Sequence, residues 1–111
     1  MAIFSIHLLN SIDGTHASDV EIIIYKSNND NKVVFLEDKT DSSGRMLKEF
    51  ELSKEDCESD YEMIINSGKY FRNTSEIINS ISVKFKMKDS EKKYHIPLII
   101  SPNGYSIWWS K

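Results

Sequence analysis

Two histidines lie on strand faces that the core does not claim. Across residues 3–9, Phe4, Ile6 and Leu8 share one face and His7 lies on the other. Across residues 94–101, Ile96, Leu98 and Ile100 share a face, and His95 lies opposite with Pro97 and Ile99. Imidazole titrates near neutral pH, so either residue is suited to taking up and returning a proton. The same non-core face carries Leu9 and Ile99, and this mixture fits a buried interface or a ligand cleft. Two solvated surface histidines fit the spacing equally well. Without a third ligand at suitable spacing they do not make a zinc site. His16 sits in the polar loop 10–18 and reads as incidental. Cys57 is flanked by Glu55, Asp56, Glu58 and Asp60, which raise a thiol pKa, so it reads as structural rather than as a nucleophile. Trp108 and Trp109 fall on opposite faces if the last strand continues. One would then enter the core or an interface while the other faces the cleft, where an indole can stack on a planar ring. Interface packing by both is the competing reading.

The elements that must hold these residues have a period of two. Strands are expected over residues 3–9, 20–25, 33–36, 47–52, 61–65, 81–88, 94–101 and 105–109. The nearly continuous apolar run at 20–25 suits a strand covered on both faces. Residues 27–31 form an Asn-rich turn, and 38–44 a polar loop in which Gly44 supplies a positive φ. Ser53-Lys54-Glu55-Asp56 begins a helical turn with a capping pattern. The spacing of Tyr70, Phe71 and Ile77 predicts a short helix within 69–78. Pro102-Asn103-Gly104 turns the chain between the last two strands. Pro97 lacks a ladder donor and predicts an edge or a local break in pairing. Eight short strands predict an all-β, antiparallel β-sandwich, and 111 residues fit one domain, 1–111.

Composition narrows the partners. A chain with 40% hydrophobic and 28% charged residues is an ordinary globular mixture. A net charge of -3 with no basic block argues against nucleic acid. The longest apolar run, 96–100, is far too short to span a membrane. The first residues lack the basic start and cleavage site of a secretory signal, so a cytoplasmic protein is expected.

The stretch Tyr94-His95-Ile96-Pro97-Leu98-Ile99-Ile100-Ser101-Pro102-Asn103-Gly104-Tyr105-Ser106 resembles, without a gap, the C-terminal signature of the 5-hydroxyisourate hydrolases of the transthyretin-like family. That signature runs Tyr-His-x-Pro-Leu-Leu-x-Ser-Pro-x-x-Tyr-Ser. Ile6-His7-Leu8-Leu9-Asn10 is similar to the family's opening Thr-His-Val-Leu-Asp, and Thr40-Asp41-Ser42-Ser43-Gly44-Arg45 to its Thr-Asn-x-x-Gly-Arg. The resemblance covers essentially the whole chain. It implies a sandwich that assembles as a homotetramer, a dimer of dimers, with active sites at the dimer–dimer interface. It implies a catalytic set of His7, Arg45 and His95, and no metal or other cofactor. Transthyretin, the hormone carrier, lacks these three residues.

The chain departs from the family at its end. Where the hydrolases close Tyr-Ser-Thr-Tyr-Arg-Gly-Ser, this chain reads Tyr105-Ser106-Ile107-Trp108-Trp109-Ser110-Lys111. In the family that tail lines the site, which implies a substrate-binding set of Tyr105, Ser106, Trp108 and Trp109 here. Three functions follow from the resemblance. The first is hydrolysis of the cyclic amide of 5-hydroxyisourate in purine breakdown. The second is the same chemistry on another small heterocycle, and the third is non-catalytic binding of a planar ligand.

Overall fold

A computed structural model describes residues 1–74 and 77–110. Eight strands run β1 (Ala2–Asn10), β2 (Glu21–Asn28), β3 (Asn31–Lys39), β4 (Arg45–Phe50), β5 (Asp60–Ile65), β6 (Ile81–Phe85), β7 (Lys93–Ser101) and β8 (Gly104–Ile107). Two helical turns, α1 (Lys54–Glu58) and α2 (Ser67–Tyr70), flank β5. The strands form two four-stranded sheets, ordered β4-β1-β7-β8 and β3-β2-β5-β6. This is the β-sandwich that the alternation predicts. One ladder departs from the antiparallel expectation, since β1 and β7 run parallel.

The core forms from one face of each sheet. Phe4, Ile6 and Leu8 of β1 are fully buried against Ile96, Leu98 and Ile100 of β7, with Met46 of β4 beside them. From the facing sheet come Ile22, Ile24, Tyr61, Met63, Ile65 and Ile81. Phe85 stacks on both Phe4 and Tyr61, at centroid separations of 4.9 and 5.5 Å, and so joins the two layers. At about 1.5–3 kcal/mol for each large apolar side chain removed from water, this inner layer dominates the fold's stability.

Several local expectations need correcting. In β2 the outer residues Glu21, Ile23 and Tyr25 are only half-buried, so that strand is covered on one face and not both. The helix expected within 69–78 is a single turn that starts earlier, because the Asn66 side chain caps it by accepting from the Lys69 amide at 3.2 Å. Residues 75 and 76 of that span lie outside the described residues. Ile77, counted in the helical spacing, is 91% exposed and packs no core. Ser53 does form a capping box with Asp56 on α1.

Pro97 gives no edge, since β7 is interior to its sheet. Pairing with β1 continues through it, with His7 opposite Pro97. The break lies on the other side. The Trp108 amide donates to the Pro97 carbonyl at 3.3 Å, but proline has no N–H to return to Trp108. The β8 ladder accordingly ends at Leu98 opposite Ile107, and the chain rejoins β7 only at an isolated bridge between His95 and Ser110.

Candidate active site

The site is the outer face of the sheet β4-β1-β7-β8. Alternation turns Ile3, Ser5, His7 and Leu9 outward from β1 once Phe4, Ile6 and Leu8 enter the core. Register then brings the neighbours alongside. His7 lies directly opposite Arg45 on β4, and Ser5 lies beside His95 on β7. His7, Arg45 and His95 thus sit on three adjacent strands and one face. The Arg45 guanidinium forms no salt bridge with a carboxylate among the described residues.

Arg45 owes its position to the β3–β4 turn. The Asp41 carboxylate accepts from the amides of Ser43 and Arg45 at 2.9 and 3.0 Å and from the Ser43 hydroxyl at 2.7 Å. These donors, the Ser43 hydroxyl first, hold the Asp41 carboxyl below its ordinary pKa. Gly44 has φ +73°, and its carbonyl accepts from the Leu8 amide at 2.8 Å, which pins the turn to β1.

Both histidines are hydrogen-bonded. His95 Nδ1 is 2.7 Å from Ser5 Oγ, which orients the ring across the β1–β7 seam. His7 Nε2 is 3.1 Å from Nδ1 of His16. Burial, then the positive charge of Arg45 and the neighbouring His16 and His95, lowers the His7 pKa below its ordinary value, while the Ser43 backbone carbonyl opposes this. The net direction favours the uncharged ring of His7.

His16 is the neighbour of His7 that sequence reasoning missed. Its loop folds back on β1 through Asn10, whose amide donates to the Thr15 carbonyl and whose side chain accepts from the Ile12 amide. An isolated bridge sets His16 opposite Leu9, on the histidine face. Alternation carries no information about a side chain in a loop. The available signal was the sequence Asn10-Ser11-Ile12-Asp13-Gly14, whose turn-forming residues reverse the chain onto the strand it has just left.

The tail divides as alternation requires. Ser106 lies opposite Ile99, and Trp108 follows in the same register opposite Pro97, so both belong to the histidine face. Tyr105 lies opposite Ile100 and belongs to the other face. Trp109 also lies there, beside Phe85, Tyr94 and Ile96, with the Lys92 ammonium 5.0 Å from its ring centroid. Within one chain, His7, Arg45, His95, Ser106 and Trp108 therefore share a face, and Tyr105 and Trp109 do not join them. Ile3, Ser5, Leu47, Lys93, His95 and Ser110 line a shallow depression of about 280 Å³ at the His95 end. Among the described residues no group of three His, Cys, Asp or Glu side chains is placed to hold a metal ion, and no helix is long and apolar enough to cross a membrane.

The chain is similar to known proteins over nearly its whole length. The family model described as HIUase/Transthyretin family matches residues 4–109. The 5-hydroxyisourate hydrolase of Salmonella dublin is 29% identical over 108 residues, covering 96% of this chain and 79% of its own length. The 5-hydroxyisourate hydrolase 2 of Rhizobium meliloti is 26% identical, covering 92% of this chain and 90% of its own length. Among solved structures, the Klebsiella pneumoniae 5-hydroxyisourate hydrolase superposes with a TM-score of 0.78 at 21% identity over the full length of both chains. An (S)-allantoin synthase superposes with a TM-score of 0.83 at 22% identity; the match covers 99% of this chain and 44% of that one.

Proposed function

Since the chain belongs to the HIUase/Transthyretin family, we propose that it is a hydrolase that opens the cyclic amide ring of 5-hydroxyisourate or a close relative. The observation that carries this reading is the single sheet face shared by His7, Arg45 and His95, with the Arg45 guanidinium unclaimed by any carboxylate among the described residues. In the proposed reaction a histidine removes a proton from water, and the oxygen adds to the amide carbonyl carbon. The C–N bond then breaks, and the proton passes to the departing nitrogen. His7 and His95 serve as the base and its partner. Arg45 faces the negative charge that grows on the carbonyl oxygen.

The proposed assembly is a homotetramer that covers this face with a second copy. Leu47 and Trp108 are exposed beside the histidines, and covering them would remove apolar surface and water from the site together.

Trp108 favours a second reading, in which the same chemistry acts on a different planar heterocycle. Its amide bonds the Pro97 carbonyl, and strand alternation from there assigns the indole to the histidine face, where stacking on a flat ring would select by shape. Trp108→Ala is expected to raise KM for the true substrate about 5- to 20-fold, equivalent to about 1–2 kcal/mol of lost stacking, with a smaller change in kcat. Steady-state kinetics read this directly, and an unchanged KM would remove Trp108 from substrate recognition. To test the main reading, 5-hydroxyisourate is generated in situ from urate and the decay of its absorbance is followed. Acceleration over the spontaneous decay is expected. No acceleration, together with hydrolysis of another cyclic amide, would favour the second reading.

A further inference from the structure

We propose that His16 is a positioning residue for His7: its ring N–H donates to His7 Nε2 and holds His7 in the tautomer whose lone pair is on that nitrogen. The inference deepens the hydrolase reading and rests on it only for its catalytic consequence. Two observations support it. The first is the distance of 3.1 Å between His7 Nε2 and His16 Nδ1, with ring centroids 5.2 Å apart. A hydrogen bond between two imidazoles needs one nitrogen with its proton and one without, so the pair cannot hold this geometry when both rings are charged. The second is that the Ser43 backbone carbonyl favours a proton on the His7 ring, the one neighbour of His7 that does so. With Nε2 turned to His16, Nδ1 is the nitrogen left to donate to Ser43. A proton fixed on Nδ1 leaves Nε2 as the acceptor, and the shared hydrogen then belongs to His16.

The groups facing His7 agree with this assignment. Arg45 comes from β4, His16 from the β1–β2 loop and His95 from β7, and each opposes a positive charge on the ring. The Asp41 carboxylate in the β3–β4 turn is engaged by Ser43 and the Arg45 amide. His7 is half-buried on its strand, whereas His16 is exposed on its loop. The bond therefore ties an exposed loop residue to a strand-held one, and removing His16 should alter the protonation of His7 without touching the core.

The test is histidine-selective NMR titration of the full-length protein, comparing the native chain with His16→Ala and His16→Gln. In the native protein His7 should titrate below the ordinary histidine value, with nitrogen shifts of the Nδ1–H tautomer. In His16→Ala its midpoint should rise toward the ordinary histidine value, and the tautomers should mix. His16→Gln, whose amide can still donate but carries no charge, should retain the Nδ1–H tautomer. The acid limb of kcat/KM should move with the His7 midpoint, a change that a merely structural role for His16 would not produce. An unchanged His7 midpoint in His16→Ala would overturn the proposal, as would tautomer mixing in His16→Gln equal to that in the alanine variant. The titration needs no substrate, so its outcome stands apart from whether 5-hydroxyisourate is hydrolysed.

Discussion

Arg45→Gln is expected to slow ring opening by about 10²- to 10³-fold while leaving the fold intact. Arg45 is exposed, its side chain enters no core contact, and no carboxylate depends on it, so the thermal midpoint should move little. The large kinetic effect follows from the charge that the transition state acquires. In the proposed reaction the carbonyl oxygen becomes anionic as water adds, and a guanidinium on the strand beside His7 would stabilise that oxygen more than the neutral substrate. The loss should therefore fall mainly on kcat. Arg45→Lys should recover only part of it, because an ammonium keeps the charge but not the planar pair of donors. A fall in rate of less than threefold in Arg45→Gln would mean that the arginine does not face the reacting carbonyl.

Gly44→Ala is expected to be the most destabilising single methyl that can be added near the site. The backbone there has φ +73°, a conformation that costs an L side chain about 1–2 kcal/mol. A Cβ would also lie 2.5 Å from the Leu8 carbonyl oxygen and 3.2 Å from the His16 Cβ. The first of these contacts is with backbone and cannot be relieved by a rotamer change. A total loss of about 2–4 kcal/mol in urea unfolding is expected. The Leu8 carbonyl also accepts from the Ala17 amide at 2.9 Å, so relieving the clash would move the loop that carries His16. Gly44 thus links the Arg45 turn, the His7 strand and the His16 loop at one point. An unfolding midpoint equal to that of the native protein would contradict this packing.

Sheet faces were legible in the sequence because each strand's alternation fixes which residues meet the core. Phe4, Ile6 and Leu8 facing in require His7 to face out, and Ile96, Leu98 and Ile100 require the same of His95. Long-range register was not legible. Nothing in either segment alone says that β1 and β7 run parallel with Ser5 beside His95. That pairing joins residues 90 apart in the sequence. Pro97 shows the same limit: its missing donor was evident, but which neighbouring strand would lose a bond depended on the topology. The tryptophan pair was expected to split between faces, and the register opposite Pro97 and Ile96 assigns Trp108 to the histidine face and Trp109 to the other. His16 lay beyond reach because a loop has no period, and its place depends on hydrogen bonds from the Asn10 amide to the Thr15 carbonyl and from the Ala17 amide to the Leu8 carbonyl.

The most direct test of the proposed chemistry is the decay of freshly formed 5-hydroxyisourate followed by absorbance with the native protein and with His95→Ala at equal concentration. His95 faces outward and bonds only Ser5 through its side chain among the described residues, so the variant should remain folded by circular dichroism. The expected result is rapid, protein-dependent decay with the native chain and a rate near the spontaneous background with His95→Ala. Native protein that leaves the decay at its background rate, or a folded His95→Ala that accelerates it as well as the native chain, would contradict a hydrolase site built on His7, Arg45 and His95.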